Sequence, residues 1–158
     1  TPAIDGDSFA IKFDEAVAKG LERVAGNLNY VLYRAPINDP KAVLASADAQ
    51  ANFRLAASSA HLVPSDGRPA EGVTVNGGAL SVDFARSTFS TQLGLSGSRF
   101  GNESIAASGK VGNNGVLQPT QSNASIVGAL TLDGREAGYT FEKLIGVGAL
   151  RGITLWGR

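Results

Sequence analysis

The sequence predicts a mainly β protein: a small eight-stranded antiparallel up-and-down barrel with a short N-terminal helix. Three observations carry that expectation. From residue 27 onward, apolar residues alternate with polar or small ones in short runs, the period of a half-buried strand. Turn dipeptides punctuate those runs at Asp66-Gly67, Asn76-Gly77, Asn114-Gly115 and Asp133-Gly134. Such pairs suit tight hairpins, because a type I′ turn needs positive φ at both central residues. No helical periodicity separates the runs, so nothing supplies the crossovers that parallel strands require. Eight meandering strands can close into a barrel that their own side chains fill, and closure removes both edges. An open two-sheet sandwich is the competing architecture. Gly94, Gly109, Gly128, Gly138 and Gly152 within the strand runs favour the barrel, where bending and close packing need small residues.

The elements follow in order. Residues 1–26 form a lead-in. Within it, Phe13, Val17, Leu21 and Val24 recur at helical spacing, with Asp14 and Glu15 in the first turn and Arg23 in the last, which suits the helix macrodipole. Gly20 weakens this helix, and Gly26-Asn27 stops it. Residues 27–158 form the barrel domain, with strands expected at 28–35, 49–57, 79–86, 88–96, 103–110, 124–132, 136–144 and 150–157. The first of these, near Tyr30, is expected to pair with the last, near Leu155. Tyr30 and Tyr33, three apart, point to opposite faces. Residues 36–48 hold two prolines and a helix-compatible piece, and residues 58–78 make a polar excursion over one rim.

Alternation places Leu80, Val82, Phe84, Phe89, Leu93, Leu95, Ile126, Leu130, Leu132, Tyr139, Phe141, Ile153 and Leu155 inside. That set suffices to fill an eight-stranded lumen. It leaves Trp156 outside, where the N-terminal apolar stripe would meet it against the outer wall or over one open end.

Composition narrows the function. The 158 residues carry 14 basic and 14 acidic side chains, a net charge of zero, which lacks the electrostatic footprint of a nucleic-acid binder. With 0 Cys there is no disulfide, thiolate nucleophile or Cys-type zinc site, and 1 His excludes a multi-histidine metal centre. No apolar run approaches the roughly 18 residues of a transmembrane helix. The start, TPAIDGDS, has neither the basic nor the apolar region of a signal peptide, and a chain beginning at Thr1 reads as a processed product or an excised domain. Any tether to an outer membrane would lie in an upstream region.

The last forty residues hold the most specific pattern. ASIVGALTLDGREAGYTFEKL followed by GALRGITLWGR resembles the closing strands of the eight-stranded barrels of transferrin-binding-protein-like bacterial lipoproteins. The matching positions are Val127, Ala129 and Leu130, then Glu136, Gly138, Tyr139 and Phe141, then Trp156, Gly157 and Arg158. Related barrels occur at the C-terminal end of FecR-domain proteins, where an Asn-x-x-Tyr opening strand is similar to NLNYVLYRAP here. The resemblance spans residues 27–158, its specific part 124–158. A handle domain and a lipobox Cys are absent, so transferrin recognition does not carry over. What it implies is a bacterial module, periplasmic, at the cell surface or secreted, that binds rather than catalyses.

Candidate chemistry is sparse. His61 is the chain's one histidine, the residue type suited to acid–base work near neutral pH, in the setting ASSAHLVPSDGRP with no nucleophile elbow. Asp83 and Glu103 are the carboxylates a glycosidase pair would use, though alternation places both on solvated surface. GVGALRG lacks the strand–helix context of a nucleotide loop. Asn102 and Asn123 head glycosylation sequons that a bacterial host leaves unused. Arg99-Phe100, between glycines in GSRFGNE, pairs the residue types that interface hot spots favour, the alternative being a Phe folded back over the barrel end. No catalytic, cofactor or metal residue is expected. The expected protein-binding residues are Arg99, Phe100, His61, Pro64 and Arg68. A lipocalin-like carrier of an apolar molecule or haem, and a sensor or spacer domain of a FecR-like regulator, are the alternatives.

Overall fold

The computed structural model describes residues 50–131 and 134–158, together with the strand backbone of 22–26 and 31–34. The strands are β1 (Glu22–Gly26), β2 (Val31–Arg34), β3 (Gln50–Pro64), β4 (Glu71–Gly72), β5 (Thr74–Asp83), β6 (Thr88–Gly97), β7 (Gly101–Val111), β8 (Leu117–Ser122), β9 (Ser125–Leu130), β10 (Glu136–Ile145) and β11 (Gly148–Gly157). No described residue is helical.

Eight strands, β3 and β5 to β11, make an antiparallel meander curled into a nearly closed barrel. Its two ends meet along a full ladder between β3 and β11, from Arg54↔Gly157 to Pro64↔Gly148. The weak join lies between β8 and β9, where the bridge Val116↔Ala129 and the bond from Leu130 N–H to Gly115 C=O (2.9 Å) cross. β4 continues the register of β5 along β3, with Phe53↔Leu80 at one end and His61↔Gly72 at the other.

Five expectations are corrected. The barrel's first strand is β3; β2, inside the expected 28–35 strand, pairs instead with β1 in a two-stranded sheet of its own. The last turn of the expected helix, 22–26, is strand β1, because a hairpin partner outweighs weak helical propensity flanked by glycines. Residues 14–21, 30 and 36–48 lie outside the described residues. The excursion 58–78 shrinks to 65–70, since Ser58, Ser59 and Ala60 continue β3 on the ladder with β11. Asn76-Gly77 is a bulge inside β5, with Gly77 at φ 130°, rather than a hairpin turn. The polar LQPTQS, with a proline at its centre, is strand β8.

The lumen is a packed core. Trp156, Tyr139, Phe141, Leu62, Leu80, Leu93, Leu95, Ile105, Leu130 and Leu150 are all fully buried. Residues opposite each other on a ladder face the same way, and Trp156 stands opposite Ala137, two residues from Tyr139. Trp156 is therefore inside, its ring stacked on Tyr139 at 5.9 Å, while Ile153 and Leu155 point outward. This inverts the expected assignment of β11. The cause is that both faces of this strand are apolar, so alternation alone could not orient it. Buried polar groups are satisfied in two chains. Tyr139 O–H donates to Thr91 Oγ1 (3.0 Å), whose own hydrogen goes to Ala79 C=O (3.0 Å). Trp156 Nε1–H donates to Thr154 Oγ1 (2.8 Å), which donates to Tyr139 C=O (3.3 Å).

The two outer walls differ. Across β5, β6, β7 and β8 runs a row Ser81, Ser90, Ser108, Gln121, flanked by Ala79, Gln92 and Ala106. This wall is short-chained and wet. Across β3, β11, β10 and β9 the corresponding row is Ala57, Leu155, Gly138, Ala129.

Candidate functional site

All five expected binding residues lie at or near one end of the barrel, the upper rim, formed by residues 65–70, 98–100, 123–124 and 146–147. The sequence sets this rim locally. Asp66-Gly67 turns the chain after β3, with Gly67 at φ 81° and the Asp66 carboxylate accepting the Arg68 backbone N–H (3.1 Å). Ser65 N–H bonds Val147 C=O (3.0 Å), which ties this loop to the β10–β11 turn.

Asp66 is the hub. Its Oδ2 lies 3.3 Å from Arg68 Nε and 3.5 Å from Arg99 Nη1, and Arg99 Nε donates to Glu71 Oε1 at 3.0 Å. Desolvation opposes the Arg99 charge, but the hydrogen bonds and charges of Glu71 and Asp66 prevail and raise its pKa. Arg99 is thus fixed in a fork between two carboxylates, while Arg68 stays two-thirds exposed (67%). Phe100 is folded back. Its ring lies over Gly97, where a Cβ would collide with it, and it packs on the core. A side chain at 97 would displace the ring from this position.

Pro64, opposite Gly148, is buried at the end of β3 and presents no free ring to a partner. His61 is half-buried on the outer wall, between Gly72 and Arg151 on neighbouring strands. The structure therefore joins Arg68 and Arg99 through Asp66, packs Phe100 on the core, and leaves His61 on the side wall.

Sequence reasoning missed the acidic half of the rim. Asp66 was legible as a turn residue, but nothing in its spacing pointed to Glu71 and Arg99. It also missed the second ion pair, Lys143 Nζ to Glu103 Oε2 at 2.8 Å, which crosses from β10 to β7. Asp83 sits at the opposite rim, bonded to Arg86 N–H (3.0 Å), so the two candidate carboxylates are at opposite ends of the barrel and cannot share a substrate. Among the described residues, no three His, Asp or Glu side chains converge as metal ligands would. Exposed apolar side chains adjoin the upper rim: Leu144 (77%) and Val147 (36%) on the β10–β11 hairpin.

Comparison with protein-family models, with curated proteins and with solved structures finds no match to this chain.

Proposed function

We propose that the barrel is a non-enzymatic binding module of a bacterial surface or periplasmic protein, meeting a protein partner through its upper rim. The observation that carries this reading is the Asp66 hub. It gathers Arg68 and Arg99, from loops far apart in sequence, at the same end of the barrel as the exposed Leu144 and Val147. An arginine held in place by carboxylates loses little entropy on binding, and apolar residues ringed by charge are the usual make-up of an interface. The filled lumen weighs against carriage of a haem or an apolar ligand, since either would have to displace Trp156 and Tyr139. The likeness to transferrin-binding-protein-like barrels supports a location outside the cytoplasm and a binding role, and is part of the same proposal.

The test compares two rims. Immobilised chain carrying Arg68→Glu with Leu144→Ser should lose a protein retained from a bacterial envelope extract by the parent chain. Arg86→Glu at the lower rim should retain it. If the upper-rim variant, still folded by circular dichroism, retains the same protein equally well, the rim reading is wrong.

A further inference from the structure

We propose that the outer face of β9, β10 and β11 is a docking face for a two-stranded β segment. This chain's own β1–β2 pair occupies it and can leave with the barrel intact. The inference concerns a different surface from the rim and does not rest on it.

Side chains on this face point away from the lumen, yet several are as buried as the core. Ala129 is 0%, Ile153 1% and Leu155 4% exposed. The ladder registers put them in two adjacent rows, Ala57–Leu155–Gly138–Ala129 and Ser59–Ile153–Thr140–Val127. Something lies over these rows. β1 packs on β9 and β10, and β2 packs on β10.

The face is shaped for a second layer. Gly138 and Ala129 beside Leu155 leave room for close approach, as packed sheets require. The Thr140 hydroxyl is turned onto Val127 C=O (3.4 Å), so its polar group is satisfied within the wall. A polar row, His61–Arg151–Glu142–Ser125, fences the strip toward the upper rim, with Arg151 Nε 2.6 Å from Glu142 Oε2. Val127, next to that fence, is already 44% exposed. The strip is bounded, apolar and partly open.

The cover is held differently from the wall it covers. β1 and β2 hydrogen-bond to each other, in a sheet separate from the barrel's. Such a two-stranded piece is marginal by itself and is stabilised by packing on another layer. The barrel keeps its own ladders, none of which includes β1 or β2. Loss of the cover therefore breaks no barrel rung, and it bares an apolar strip ready for another two-stranded segment.

Native-state hydrogen exchange on the full chain tests this. Amides of 22–26 and 31–34 are expected to open at least tenfold more often than those of β6, in a separate event. Leu155→Glu puts a charge into the buried row, opposite Gly138 of β10, on which β1 and β2 pack. It should abolish protection in 22–26 and 31–34, keep β6 within threefold of the parent, and leave Trp156 emission unmoved. Leu155→Ala serves if the charged variant does not fold, with tenfold faster exchange expected in β1–β2 alone. Equal acceleration of β1–β2 and β6, or a red shift of Trp156, would mean that wall and cover form one core and would overturn the proposal. Protection of β1–β2 that rises with protein concentration alongside a dimer would overturn its in-chain occupancy and give the face to a second copy.

Discussion

Removing the hydroxyl of Tyr139 gives a signal whose sign reverses with pH. In the Tyr139→Phe variant the bond to Thr91 is lost, while Thr91 keeps its own donation to Ala79 C=O. One net hydrogen bond corresponds to about 1 kcal/mol, so the variant should be less stable than the parent by about that much at pH 7. At high pH the balance shifts. Burial pushes the Tyr139 phenol from 10.0 up to about 12, against the opposing hydrogen bonds of Thr91 and Thr154. A folded pKa above the unfolded one means that the native chain binds more protons between the two values. Stability from this group is therefore complete below pH 10 and is lost as pH climbs toward 12. Two decades of proton affinity amount to about 2.7 kcal/mol in all, with about 1.4 kcal/mol gone by pH 11. Lysines and the other tyrosines titrate in both proteins and cancel in the difference. Urea denaturation from pH 7 to pH 11 should show the two stability curves converging above pH 10 and crossing a little below pH 11. Parallel curves over that range would refute the claim that Tyr139 is desolvated within the lumen.

Three further outcomes are expected. Ser87, a non-glycine residue at φ 54°, keeps only backbone duty toward Val111 N–H (2.8 Å), so Ser87→Gly should stabilise by about 0.5–1 kcal/mol, read as a rise in Tm. A Cβ at Gly128 would be driven into Gly138 C=O and Tyr139, so Gly128→Ala should cost about 3 kcal/mol in chemical denaturation. Cysteines replacing Val116 and Ala129 would bridge the β8–β9 join in a chain with 0 Cys of its own, and the oxidised form should gain about 3 kcal/mol over the reduced one.

Legibility varied with how one-sided each strand is. β6 was read almost to the residue because Phe89, Thr91, Leu93 and Leu95 are buried while Ser90 and Gln92 are exposed, a clean period of two. β11 was placed correctly along the chain but turned inside out, because Ile153 to Trp156 are all buried and carry no alternation. β8 went unseen for the opposite reason: LQPTQS has one buried residue, Leu117, and a proline that ordinary strands exclude. The long run of β3 was hidden in small and polar residues whose extended form is fixed by the ladder to β11 rather than by their own propensity. Of the rim, Arg99 and Phe100 were legible as an unusual loop pair. Their carboxylate partners were not, since Asp66 and Glu71 reach Arg99 only after β6 folds back beside β5.

The same polar stretch that hid β8 explains how the barrel is closed there. β8 and β9 are 6 residues each, against 11 for β7 and 10 for β10, so the wall is low between them. Asn123 keeps it so. Its backbone N–H reaches Ala106 C=O (3.1 Å), its Nδ2 reaches Ser104 C=O (2.9 Å), and its Oδ1 accepts Ala106 N–H (2.9 Å). The side-chain amide thus extends the β7 ladder where a strand residue would otherwise stand, which holds the end of β8 to β7 instead of letting it zip onto β9. Lys143 then spans the gap from β10, with Nζ on Glu103 Oε2 (2.8 Å) and Ser104 C=O (3.1 Å). The Lys143 and Glu103 side chains are only 18% and 30% exposed, so salt screens this link less than it would a surface pair. Backbone rungs hold most of the wall, while side chains hold the upper rim: Asn123 and Lys143 on one side, Asp66, Glu71 and Arg99 on the other. Side-chain bonds can be remade one at a time without unzipping a ladder. The end of the barrel proposed to meet a partner is therefore also the end whose shape can adjust to one.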